Sequence, residues 1–173
     1  VGAALAKRRA LGFRPFTGLR GADMPSNGQS GVRLVLDMAE FRGPALALWS
    51  RENGAFPASM VDRIVPAATD ETRVRAKNLL GVDDVLAIET EPFMQWVIED
   101  NFVSGRPEWE AGGALFVKNV EPYEKMKLRL LNGSPTLIAH LGLLSGLAYV
   151  RDVMAVPELR AVGRVEAHPS DLP

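Results

Sequence analysis

Lys127 stands in an aliphatic run with Met126, Leu128, Leu130 and Leu131, with Glu124 three residues before it and Asn132 five residues after it. A lysine set among such side chains loses hydration, which disfavours its charged form and suits it to take a proton near neutral pH. The same pattern fits a lysine whose stem packs while its ammonium reaches water. At a spacing of three, Glu124 meets Lys127 on one helix face, either as a surface ion pair or as a relay that carries the proton to solvent. Asn132 falls about 140° round an ideal helix from Lys127. Gly133 suits the position just past a helix end, and Ser134-Pro135 suits an N-cap and first helical residue of the next. The sequence therefore predicts a break that frees Asn132 to aim its amide into a cleft, although an ordinary helix-helix corner would carry the same signals.

The elements that must hold these residues follow from periodicity and breakers. Residues 2–11 read as a helix ending at Gly12, with the basic Lys7, Arg8 and Arg9 in its last turn, and a chain that opens in mid-helix reads as a segment of something longer. "FTGLR" at 16–20 is expected as a short strand and "ADMPSNG" as a loop. A helix is predicted from Ser30 to Gly43, a second from Pro44 to about Arg51, and a third from Thr69-Asp70 to Leu80 with Gly81 as its cap. "MVDRIV", "VLAIET", "FMQWVIED" and "ALFVKNV" read as strands. After Val120 only helical patterns remain, so the chain divides into an α/β portion over 1–120 and an all-α portion over 121–173, with an extended tail "RVEAHPSDLP".

Composition narrows the function classes. The chain has 173 residues, 47% of them hydrophobic, and 20 Lys+Arg against 21 Asp+Glu give a formal net charge of −1. The balanced, dispersed charge leaves no basic stripe for nucleic acid. Cysteine is absent and only His140 and His168 are present, which removes thiolate chemistry and disfavours a histidine metal site. No apolar run reaches membrane-spanning length and no signal-peptide order opens the chain, so a cytoplasmic protein with no membrane partner is expected. His140 is expected as a packing or helix-interior residue, His168 as solvated, and the three tryptophans as core or loop anchors.

Several stretches together resemble one family. "MKLRLLNGSP" is similar to the signature of the mannitol dehydrogenase and fructuronate reductase family, the polyol-specific long-chain dehydrogenases: Lys, four residues, Asn, two residues, His. "FTGLRGADMPSNG", "FPASMVDRIVPAATD", "EPFMQWVIEDNF", "GRPEWEAGGALFVKNVEPYEKMKLRLLNGS" and "LGLLSGLAYVRDVM" follow the family in order, over about residues 5–163. The resemblance implies the C-terminal part of a Rossmann-type nucleotide-binding domain, followed by the first helices of a helical substrate domain. It implies an oxidoreductase using NAD or NADP to interconvert a secondary alcohol of a polyol or sugar acid with its ketone. In that chemistry Lys127 is the base, Asn132 a donor to the partial alkoxide and Glu124 the acid preceding the lysine, while Asp62, Arg63 and Asp23 match substrate-binding positions. It does not choose among mannitol, arabinitol, fructuronate and tagaturonate, or between the two cofactors.

Three departures from the family accompany this resemblance. Pro135 stands where the family has histidine, which removes a donor worth on the order of 10²-fold in rate, and it is expected to hold Ser134 extended. Asp23 stands where the family has asparagine, and an ionised carboxylate accepts hydrogen bonds without donating any. No Gly-x-Gly-x-x-Gly occurs, so the cofactor-binding half is expected to be missing and the cofactor-binding residues are unassigned. These departures leave an alternative: a catalytically inactive relic or interaction domain, with the apolar "LIAHLGLLSGLAYV" as its contact surface.

Overall fold

The computed structural model describes residues 1–21, 24 and 26–165. Three helices lead: α1 (Gly2–Ala10), α2 (Asn27–Arg42) and α3 (Pro44–Asn53). Leu5, Ala39, Leu46 and Ala47 are buried together at their meeting point, with Phe16, Val35 and Trp49 packed round them. Gly43 separates α2 from α3 at φ 141°, a conformation that a residue with a side chain rarely adopts, and Pro44 then opens α3 without wasting a hydrogen-bond donor. α2 begins at Asn27, one turn earlier than the sequence suggests, because Asn27 and Gly28 are anchored to the sheet rather than left in the loop.

The sheet has three strands in the order β1 (Ser59–Asp62), β2 (Gln95–Glu99), β3 (Ala114–Val117). β1 and β2 are antiparallel, with Asp62 opposite Gln95, and β2 and β3 are parallel. Between β1 and β2 runs α4 (Asp70–Leu80), which starts at a reciprocal Thr69/Thr72 capping box and stops at Gly81 in the left-handed conformation. The segment from Asp100 to Gly113 that joins β2 to β3 contains a 3₁₀ turn (Trp109–Gly112). Trp109 stacks on Trp96 with ring centroids 5.2 Å apart, and Phe102 and Phe116 complete the cluster. These tryptophans are loop anchors, as expected.

All five strand expectations change. "FTGLR" makes a single bridge, Thr17 to Ala55, since Gly18 lies against the Phe56 ring and no neighbouring strand continues the ladder. "VLAIET" has no strand partner, and Glu89 instead accepts from Thr72 and Arg75 of α4. "MVDRIV", "FMQWVIED" and "ALFVKNV" shorten to the paired residues, and beyond Asp62 the Glu91 side chain takes over by accepting from the Ile64 amide at 2.7 Å.

From Glu121 onward the described chain is helical: α5 (Glu121–Lys127), a π-turn (Leu128–Gly133), α6 (Ser134–Leu144), α7 (Val150–Ala155) and α8 (Pro157–Val165). Asn119 accepts from the Glu121 amide and starts α5. Met60, Val97 and Val120 form a second buried cluster, with Tyr123 of α5 packed on it, so α5 lies against the sheet. Gly142 lets α6 approach α7, since a Cβ there would sit 2.8 Å from Val153. Among the described residues no helix is long and apolar enough to cross a membrane.

Candidate active site

The break expected after Asn132 does not occur. Gly133 is helical at φ −70°, ψ −49°, and Ser134 is helical at φ −59°, ψ −48° despite the proline that follows it. The preceding turn is a π-helix, in which each amide reaches the carbonyl five residues back. Pro135 then falls in the first turn of α6, where a missing N–H is tolerated. Asn132 stays within the helix with its side chain exposed, and its carbonyl accepts from Thr136 Oγ1 at 2.8 Å.

Lys127 closes α5 and is only 5% exposed. Asp62 closes β1 and is 8% exposed. α5 and β1 are in contact, so a buried cation and a buried carboxylate lie on two touching elements, and each has a partner within the protein. Ionised groups are retained in such places only when compensated, because removing either from water costs several kcal/mol. Arg63, next to Asp62, is exposed, and its Nε donates to the Glu91 carbonyl at 3.0 Å. His140 lies inside α6 with its side chain exposed, so of the two roles expected for it the helix-interior one holds and the packing one does not. His168 and Asp23 lie outside the described residues.

The loop that contains Asp23 is fixed at both ends. On one side Ser59 Oγ donates to the Arg20 carbonyl at 2.5 Å. On the other, the buried Asn27 side chain both donates to the Ser59 carbonyl and accepts from the Ser59 amide, at 2.5 and 3.0 Å. Gly28 permits this contact, because a Cβ there would lie 2.7 Å from the Ala58 nitrogen. Ser26, left-handed at φ 51°, then gives its amide to Oε2 of Glu124 at 3.2 Å. Strand, loop and helix are thereby joined at Ser59 and Glu124.

Glu124 is thus a loop anchor as well as the acid one turn before Lys127. Its Oε1 is buried with no hydrogen-bond partner among the described residues. Glu124 lines a polar cavity of about 210 Å³ together with Ser26, Gln29, Glu99, Lys118 and Asn119. Glu99 is held at the wall by accepting from the Ala58 amide at 2.9 Å. Sequence reasoning missed Asn27, Gly28 and Glu99. The first two carried a signal, an Asn-Gly pair beside a helix start, but were taken as loop residues; Glu99 carried none, since its role depends on a strand 41 residues away.

The arrangement offers a buried amine, a carboxylate on the adjoining strand and a second carboxylate beside a polar cavity, a set of groups able to move a proton to and from a small hydroxylated molecule. It does not fit a dinucleotide by itself: no described strand runs into a glycine-rich turn that opens a helix, the arrangement that holds a pyrophosphate. Among the described residues no group of three His, Cys, Asp or Glu could hold a metal ion.

Comparison with known proteins adds an independent line. Residues 1–111 match the mannitol dehydrogenase Rossmann domain, and residues 119–168 match the mannitol dehydrogenase C-terminal domain. The chain is 50% identical over 157 residues to the D-mannonate oxidoreductase of Escherichia coli strain K12, covering 91% of this chain and 32% of that protein. It is 46% identical over 158 residues to the mannitol 2-dehydrogenase of Aspergillus terreus, covering 90% of this chain and 32% of that one. Pseudomonas fluorescens mannitol 2-dehydrogenase, solved in a ternary complex with NAD and D-mannitol, superimposes with a TM-score of 0.79 at 40% identity, covering 95% of this chain and 33% of that one. The chain spans about a third of the length of these relatives.

Proposed function

The chain belongs to the mannitol dehydrogenase family, and from that premise we propose that it is the part of an NAD- or NADP-dependent oxidoreductase that handles the substrate proton, interconverting a secondary alcohol of a polyol or sugar acid with its ketone. The observation that carries the reading is the burial of Lys127 at the end of a helix seated on the strand that ends in Asp62. An amine buried at a helix end beside a strand-end carboxylate is placed to accept a proton from an alcohol. In this reading Lys127 takes that proton, Asn132 donates to the oxygen as charge builds on it, and Asp62, Arg63 and Asp23 bind the remaining hydroxyls. Glu124, beside the polar cavity, passes the proton between Lys127 and water.

The cofactor is proposed from the relatives, one of which is named as a complex with NAD, and no step is assigned to it on this chain. A cytoplasmic location is proposed with it, on the composition argument. The test is to replace the matching third of the Pseudomonas fluorescens enzyme with this chain, then assay a panel of polyols and sugar acids with NAD and with NADP. Turnover of at least one member, lost on Lys127→Met, is expected. A folded, NAD-binding graft that turns over none of them would overturn the proposal.

A further inference from the structure

We infer that Pro135 and the π-turn at Leu128–Gly133 are one positioning device, which sets the angular phase between Lys127 and Asn132; the functional half of this inference rests on the reading proposed for those two residues. They stand five positions apart. On an α-helix that spacing puts their side chains about 140° apart, on different faces. In the wider π-turn the fifth residue nearly completes a revolution and returns to within about 50° of the first. The π-turn begins directly after Lys127 and contains Asn132, so the local geometry is matched to the spacing of these two residues.

Pro135 supplies a reason for the turn. An α-helix running through this segment would need the residue-135 amide to reach the Leu131 carbonyl, and proline has no N–H and crowds that carbonyl. The helix nevertheless continues, with Ser134 helical and Asn132's carbonyl taken by the Thr136 hydroxyl. A shift to the five-residue repeat before the proline lets the chain stay helical while Pro135 occupies the first turn of α6, where no donor is needed. Gly133 ends the turn in ordinary helical conformation, so the wide turn is not imposed by a left-handed glycine.

The test is nuclear magnetic resonance on the whole 173-residue chain, reading the scalar coupling that each amide nitrogen shows to the carbonyl carbon across its hydrogen bond. The parent is expected to couple Gly133 to Leu128. In Pro135→Ala the coupling is expected to move to Arg129, the α-helical partner. A parent coupling to Arg129, or a Pro135→Ala coupling still at Leu128, would overturn the device. These readings need no turnover, so they stand apart from the fate of the proposed function. In the grafted enzyme Pro135→Ala is expected to lower kcat about tenfold or more with KM within a factor of two, as misplacement of a reacting group does. An unchanged kcat beside a moved coupling would overturn the positioning role while leaving the Lys127 reading untouched.

Discussion

The Ser26 amide and the Glu124 carboxylate meet at 3.2 Å across 98 residues of sequence. One hydrogen bond therefore joins the loop in front of α2 to the helix that carries Lys127. Removing the acceptor in Glu124→Ala is expected to destabilise the chain by about 1 kcal/mol, read as a lower midpoint in urea. Glu124→Gln, which keeps an acceptor oxygen, is expected to recover most of that stability. If alanine and glutamine behave alike, the contact does not hold the loop.

Asn27 closes both backbone groups of Ser59 and is 1% exposed. Asn27→Ala leaves a buried N–H and a buried C=O without partners, and a loss of about 2–4 kcal/mol is expected from the cost of each such group. Asn27→Asp keeps the acceptor but not the donor and is expected to fall between the two. Equilibrium urea unfolding of the three proteins checks the order.

Gly28→Ala would place a methyl group 2.7 Å from the Ala58 nitrogen and 2.9 Å from its Cα. Backbone cannot yield there as a flexible side chain would, so α2 must back away from β1. A loss of about 1–3 kcal/mol is expected, with Ser59 amide exchange accelerated as its bond to Asn27 opens. Unchanged exchange at Ser59 would show that the contact is looser than it looks.

Part of the acid sensitivity should trace to the pairing of Arg106 with Glu110, beside contributions from Glu71 and Glu121, whose carboxyls are also held below their usual range. The Arg106 guanidinium sits 3.3 Å from the Phe116 ring centroid and donates to Glu110 at 2.7 Å and to Asp100 at 3.1 Å. The hydrogen bond from Arg106 holds the Glu110 carboxyl below its usual range. A carboxyl whose folded pKa is depressed contributes stability above its unfolded pKa and loses it as pH falls through the folded value. The slope of stability against pH below about pH 5 is therefore expected to be shallower in Arg106→Ala than in the parent. Parallel slopes would remove the pair from the acid response.

How much of this was legible in the sequence depends on where each residue's partner lies. α4 was readable at both ends, because Thr69, Thr72 and Gly81 act within a few residues of one another. "VLAIET" misled, because alternation of apolar residues cannot say whether a neighbouring strand exists, and the chain there turns to give Glu89 to α4. The aliphatic setting of Lys127 left open a desolvated amine and a packed stem with its ammonium in water, and the structure buries the residue. Asn27 was legible only in part: the Asn-Gly pair lies beside a helix start, but the strand that Asn27 holds comes 32 residues later. At Pro135 the local rules pointed the wrong way: a Gly-Ser-Pro run signals a break, and the helix instead widens by one residue and carries on.

Lys127 has a partner within the protein, so its loss is felt in stability too. Removing one member of a buried interaction leaves the other uncompensated, so Lys127→Met is expected to lower the thermal midpoint. An unchanged midpoint would mean that the buried partner is satisfied without the lysine.

The most direct test of the central claim is kcat for alcohol oxidation by the grafted enzyme with and without Lys127→Met. If Lys127 is the base, kcat is expected to fall by about 10²- to 10⁴-fold while KM changes little and the fold is retained. A kcat within a few-fold of the parent would contradict the account and move the proton to some other group.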